Sequence, residues 1–145
     1  ITKGLVKILN GDLNYLELGN IYARRDWGHA KDYVEAMWKM LQQKKPDDFV
    51  ISTGSAYSIK DFIELSSKYL GFKTKWVGKG LNQKLINIIN NKPIIKINPK
   101  FFRPTEVDLL IGDSSKAQKI LKWKAKTSLK QLVKIMIDDE IKYQN

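Results

Sequence analysis

Residues 23–40, ARRDWGHAKDYVEAMWKM, concentrate the chemistry of this chain and decide how the rest is read. Two adjacent arginines, Arg24 and Arg25, stand just before a helix start. His29, the one histidine, follows them, and then an apolar face. The other basic residues are almost all lysine: of 26 Lys and Arg, only Arg24, Arg25 and Arg103 are arginine. Lysine is a flexible point charge, whereas arginine offers a rigid fork that matches phosphate or carboxylate oxygens in pairs. In a chain that otherwise prefers lysine, arginines confined to this stretch and to FFRPTE (101–106) mark candidate anion contacts.

Working outward, 145 residues give room for one domain with a moderate core, and 43% hydrophobic residues fit a folded chain. There is no cysteine, which excludes disulfides, thiol catalysis and Cys-based metal sites and fits a reducing compartment such as the cytoplasm. A single histidine excludes a His-rich metal centre. No apolar run reaches the roughly 18 residues of a membrane span, so no membrane partner is expected. Isoleucine at position 1 in place of methionine points to a fragment or a processed chain. The net charge of +11 comes from lysines scattered along the whole sequence. A lysine-coated surface accounts for it better than a nucleic-acid partner, although such a field also favours anionic ligands.

Periodicity gives the elements. Residues 1–10 read as a helix with Ile1, Leu5, Ile8 and Leu9 on one face. Leu13 to Leu18 reads as a short strand closed by Gly19-Asn20, and 24–28 as a loop. A helix is predicted from Ala30 to Gln43, with Ala30, Val34, Met37, Trp38 and Leu41 as its stripe and Tyr33, Ala36 and Met40 widening it. Asp48 to Thr53 reads as a strand covered on both faces. Ser58 and Asp61 form a near capping box for the next helix, and Gly71 ends it. Strands are expected at Thr74–Val77 and Ile94–Asn98. Leu81 to Lys92 fits either a helix or an irregular excursion. Asp113 or Ser114 opens a short helix, and Ser128 with Gln131 caps the last one. The strand, helix, strand rhythm is that of an α/β fold.

The motifs of hydrolytic catalysis are thin. His29, between Gly28 and Ala30, has little to orient it as a base and reads better as fixing the loop before the helix. The Gly-Lys-Gly at 78–80 lacks phosphate-loop spacing. The arginine motifs remain. Arg25 beside Asp26, and Arg103 followed by Glu106, supply two guanidinium groups able to clamp a diphosphate and a carboxylate able to accept both hydroxyls of a ribose. Pro104 would stiffen the second motif. The same residues would serve equally as salt-bridged structural arginines.

RRDWGHAKDYVEAMW (24–38) closely resembles the signature of GDP-mannose 4,6-dehydratases, as do PDDFVISTG (46–54), FRPTEVDLLIGD (102–113) and KAQKILKWK (116–124). The blocks fall in the family's order. The resemblance implies an extended short-chain dehydrogenase fold: an incomplete NAD(P)-binding Rossmann sheet plus a small α/β substrate-binding domain. It implies removal of water from GDP-mannose to give GDP-4-keto-6-deoxymannose, with NADP as a temporary hydride store. By resemblance, Arg25 and Arg103 would contact the diphosphate and ribose, Glu106 would hold the ribose hydroxyls, and Leu18, Gly19 and Asn20 would line the pocket near the base. No role beyond shaping the loop is carried to Asp26, Trp27 or His29. The full enzyme would be a dimer or tetramer.

The family's Gly-x-x-Gly-x-x-Gly loop, its Tyr-x-x-x-Lys pair and its catalytic Thr and Glu are not in these 145 residues. The chain therefore reads as a C-terminal nucleotide-sugar-binding portion. Residues 30–54 would complete the Rossmann sheet, residues 58–145 would be mostly substrate-binding region, and the stretch alone would be inactive. The alternative is a non-catalytic nucleotide- or polyanion-binding module that retains the fold, or a remnant without function.

Overall fold

The Ser58 side chain accepts from the Asp61 N–H at 3.0 Å while Asp61 Oδ2 accepts from the Ser58 N–H at 2.8 Å, so a complete capping box starts the central helix α3 (Ile59–Tyr69). Gly71, at φ +79°, follows its C-terminus in the left-handed region that only glycine adopts freely. The computed structural model describes residues 1–103, 105 and 107–144. In chain order the other elements are α1 (Thr2–Asn10), β1 (Leu16–Leu18), β2 (Arg24–Arg25), α2 (Ala30–Leu41), β3 (Tyr57–Ser58), β4 (Thr74–Val77), β5 (Lys84–Asn87), β6 (Pro93–Ile97), α4 (Ser115–Leu121) and α5 (Leu129–Gln144).

Four strands form a mixed sheet in the order β1-β6-β5-β4, with β1 parallel to β6 and the other pairs antiparallel. Register puts Leu16, Ile95, Leu85 and Trp76 in one row. Side chains alternate across a sheet, so this row faces the core while Glu17, Lys96 and Lys84 face away. The row packs on Leu5 of α1 and Ile63 of α3. A second core lies between α1, α3 and α5, built from Val6, Phe62, Leu129, Leu132, Val133 and Ile137. Trp27 joins it, its ring 5.2 Å from that of Phe62. A third, smaller core holds Ala36 of α2 against Ala117, Leu121 and Trp123.

Four sequence expectations change. Leu81–Lys92 is a 3-10 turn (Gly80–Asn82) leading into β5, because Leu85, 1% exposed, pairs opposite Trp76 and Ile95. Arg24–Arg25 is a strand rather than a loop, antiparallel to β3. Asp48–Thr53 forms no ladder among the described residues: an apolar run becomes a strand only beside another strand, and none of the described strands lies against it. The stripe of α2 also faces outward. Val34, Met37 and Trp38 are about 60% exposed and Leu41 is 82% exposed, while Tyr33, Ala36 and Met40 make the inward contacts.

Candidate functional site

Arg24 and Arg25 pair with a strap formed by residues 107–112, which follows the second arginine motif in the chain. The Arg24 N–H donates to the Asp108 carbonyl at 2.7 Å, and the Leu110 N–H donates to the Arg24 carbonyl at 3.3 Å. Arg24 and Leu109 form a parallel bridge. Arg25 Nη1 donates to the Val107 carbonyl at 2.6 Å and to the Arg24 carbonyl at 2.8 Å. Arg24 Nη2 donates to the Ala56 carbonyl at 2.8 Å. The strap continues to Gly112, whose carbonyl accepts from Ser52 Oγ at 2.7 Å. A Cβ on Gly112 would lie 2.8 Å from Ser52 Cβ, so glycine lets the strap and residues 50–52 approach this closely. The result is that Arg25, half-buried, is seated on the segment that begins four residues after Arg103. Arg103 itself is exposed, and Glu106 and Pro104 lie outside the described residues.

Asp26 has a structural task that the sequence did not reveal. Its Oδ1 accepts from the Thr53 N–H at 3.1 Å and from Thr53 Oγ1 at 2.6 Å, and its Oδ2 accepts from the Gly54 N–H at 3.0 Å. One carboxylate thus ties the end of β2 to the turn that leads into β3. His29 is the N-cap of α2, its Nδ1 accepting from the Lys31 N–H at 3.1 Å. It fixes the entry to the helix, as its setting between Gly28 and Ala30 implied. A Cβ on Gly28 would lie 2.3 Å from the Tyr33 hydroxyl, so the ring of α2 folds back over this glycine. Asp32 is buried, and its Oδ2 accepts from the N–H groups of Lys126 at 3.1 Å and Thr127 at 2.9 Å. Burial pushes its pKa up, but the hydrogen bonds from Thr127 and Lys126, with the charge of His29, outweigh burial and hold the carboxyl below its ordinary value.

Beside β1 lies a cleft of ≈ 190 Å³ lined by Gly19, Asn20, Ile21, Tyr22, Gly80, Leu81, Gln83, Ile97 and Phe102. It is smaller than the roughly 300–1,000 Å³ of a whole-ligand pocket, so it suits one end of a ligand. Gly19 and Asn20 form part of its wall, whereas Leu18 packs against the sheet core. Gly19 crosses the chain so tightly that a Cβ there would stand 2.3 Å from the Phe101 carbonyl oxygen. Phe102 in the cleft lining directly precedes Arg103, and Tyr22, also in the lining, leads into β2 through Ala23. The cleft and the arginine seat therefore share two chain segments.

These features fall within matched sequence. The family model for GDP-mannose 4,6 dehydratase matches residues 1–136. The chain belongs to the GDP-mannose 4,6 dehydratase family. The GDP-mannose 4,6 dehydratase of Dictyostelium discoideum is 49% identical over 143 residues, which cover 99% of this chain and 40% of that protein. The human GDP-mannose 4,6 dehydratase is 43% identical, covering 97% of this chain and 38% of its own length. The chain thus spans about 40% of the length of the curated relatives it matches.

Among solved structures, RMD from Pseudomonas aeruginosa, complexed with NADPH, superposes with a TM-score of 0.75 at 17% identity, over 98% of this chain and 41% of that one. UDP-glucose 4-epimerase from Bifidobacterium longum, in complex with NAD+ and UDP, gives 0.72 at 19% identity, over 99% and 40%. The architecture is that of part of an extended short-chain dehydrogenase fold, an incomplete Rossmann-like portion beside a small α/β unit. The residues present do not make a dinucleotide cradle. That cradle needs a glycine turn between a strand and a helix. Gly78 and Gly80 instead link β4 through a 3-10 turn to another strand. Among the described residues, no cluster of His, Asp and Glu is placed to hold a metal, and no helix is long and apolar enough to cross a membrane.

Proposed function

We propose that this chain is the substrate-binding portion of a GDP-mannose 4,6-dehydratase. The whole enzyme would convert GDP-mannose to GDP-4-keto-6-deoxymannose by internal hydride transfer and elimination of water. Arg25 and Arg103 bind the diphosphate and ribose, Glu106 accepts from the ribose hydroxyls, and Gly19 and Asn20 wall the base pocket with Leu18 behind them. Residues 30–54 complete a Rossmann sheet whose other strands lie outside the 145, and residues 58–145 are mostly substrate-binding region. NADP, which stores the hydride in that reaction, would be held by residues outside this chain. The full enzyme is a homo-oligomer in the cytoplasm. No catalytic group is assigned here, and the 145 residues alone are expected to show no turnover of GDP-mannose.

The observation that carries this reading is the strap. It seats Arg25 on the carbonyl of Val107, four residues after Arg103 in the chain, and a cleft sized for one end of a ligand is lined by Phe102, the residue before Arg103. Calorimetric titration of GDP-mannose into the full-length protein tests it. Arg103→Ala is expected to weaken binding about tenfold or more, in line with loss of a charge-assisted hydrogen bond. Unchanged affinity would rule out the clamp.

A further inference from the structure

Beyond the nucleotide-sugar reading, and independently of it, we propose that the tip of the β5–β6 hairpin docks the protein on an anionic phospholipid surface. Ile88 and Ile89 enter the headgroup layer, and Lys73, Lys75 and Lys92 meet its negative charge. The turn between the two strands holds both isoleucines out to solvent, Ile88 at 55% and Ile89 at 73% exposure. Side chains of this kind gain free energy wherever they are next removed from water.

The turn is closed by its own hydrogen bonds. The Asn87 N–H donates to the Lys92 carbonyl and the Ile88 N–H to the Lys73 carbonyl, each at 2.9 Å. The Ile89 N–H donates to Asn87 Oδ1 and the Lys92 N–H to Asn90 Oδ1, each at 3.0 Å. Asn91, at φ +55°, takes the left-handed conformation that asparagine tolerates. Backbone donors satisfied within the protein lower the cost of taking the tip out of water.

Charge selects the occupant. Residues 65–103 hold eight lysines and Arg103 but no Asp or Glu, so this stretch carries +9 of the net +11. Lysines run along the whole chain, but here the carboxylates that would balance them are missing. Pairing brings three of them to the tip. Lys75 lies opposite Ile86, Lys73 meets Ile88, and Lys92 closes the turn. All three are exposed, and none is in an ion pair among the described residues. Asp12, exposed between Gly11 and Leu13, which share a cleft with Asn87, Asn90 and Lys92, sets one negative charge against them.

An apolar tip flanked by flexible cations matches a membrane interface, where apolar insertion and attraction to anionic lipid add. Single-stranded nucleic acid is met by aromatic stacking and arginine, whereas this tip exposes isoleucine and lysine. The contact also leaves the cleft free. Strand β5 runs from Gln83 in the cleft lining to Asn87 at the tip, and β6 returns from Pro93 to Ile97, again in the lining. Tip and cleft thus sit at opposite ends of the same two strands. Such peripheral docking needs no membrane-spanning segment.

The test is sedimentation of the full-length protein with vesicles of phosphatidylcholine alone, or of an equimolar mixture of phosphatidylcholine and phosphatidylserine. Wild type is expected to bind the mixed vesicles, less tightly as salt rises, and not the neutral ones. Ile88→Ser with Ile89→Ser is expected to weaken binding at least about tenfold. Lys73→Gln, Lys75→Gln and Lys92→Gln together are expected to weaken it about fivefold per lysine. Lys44→Gln, Lys45→Gln and Lys119→Gln remove the same charge from exposed positions after α2 and on α4 and should leave binding close to wild type. Thermal unfolding checks that each variant is folded. A wild type that ignores the mixed vesicles overturns the proposal, as does a folded isoleucine variant that binds them like wild type. Equal losses from the two lysine triples overturn it too, since the charge then acts without the tip. Single-stranded RNA that binds more tightly than the vesicles, and equally in the isoleucine variant, overturns the lipid assignment in favour of nucleic acid.

Discussion

Two regions of the molecule are built to different degrees of completion. The four-stranded sheet with α1, α3 and α5 closes its own core: Leu5, Ile63, Ile95 and Ile137 are fully buried by neighbours within the chain. The region of α2, residues 48–53 and the strap does not. It buries Ala36 and Trp123 on one side, but on the other leaves Val34, Met37, Trp38, Leu41, Val50, Leu109, Leu110 and Ile111 half or more exposed. Val34, Met37, Trp38 and Leu41 share one face of α2, and an exposed apolar face of this kind marks a place of contact. The first region behaves as a finished unit. The second reads as one half of a packing arrangement, and the arginine seat lies at its edge, where Arg24 and Arg25 pair with the strap.

The largest expected effect separates the two directly. Ile63→Ala, at a fully buried site, should cost about 2–5 kcal/mol in denaturant unfolding of the 145 residues. Trp38→Ala, 61% exposed, should stay within about 0.5 kcal/mol. Equal costs would break the distinction. Next, Asp26→Ala removes the carboxylate that holds Thr53 and Gly54. Loss of hydrogen bonds to a charged group should cost about 1.5–3 kcal/mol. A negligible loss would mean that the turn into β3 holds without Asp26. Ser58→Ala, at the cap of α3, should cost about 1 kcal/mol, all of it in the finished region.

The smallest effect is in the acid limb of the stability curve. Asp32 has a folded-state pKa below its unfolded value, so its stabilisation is complete above the unfolded pKa of about 3.9 and is lost as pH falls through the folded value. Asp32→Asn should therefore flatten the decline in stability below about pH 4. An acid limb identical to wild type would show that the Lys126 and Thr127 N–H groups contribute no charge-dependent stability.

How much the sequence disclosed follows the same division. Caps were readable because they are local: Ser58 with Asp61, Ser128 with Gln131 and Gly71 all act within a few residues of themselves. Strands β4 and β6 were expected from the strand, helix, strand rhythm and from the stop at Pro99, and both are present. The strand β5 was hidden because its Asn- and Lys-rich surroundings mask a single buried position, Leu85. Residues 48–53 carried a genuine strand composition, yet a ladder needs a neighbour that sequence pattern cannot supply. The strap was invisible because its contacts with Arg24 and Arg25 are long-range and made through backbone carbonyls. Asp26 was passed over for a related reason, since its partners lie at Thr53 and Gly54. At the candidate site, Gly19 and Asn20 are placed at the cleft, Arg25 is placed at the strap, and Gln83 emerged only from the fold.

The most direct test of the central claim, that one region is finished and the other is completed by further chain, is amide hydrogen exchange resolved to single residues. In the 145-residue chain, the amides of Leu85 and Ile95 are expected to be strongly protected, and those of Val50 and Ile51 to exchange at close to the unprotected rate. In a protein of the relatives' full length, Val50 and Ile51 should gain protection comparable to that of the sheet. Protection of Val50 and Ile51 equal to that of Leu85 in the 145-residue chain itself would contradict the account.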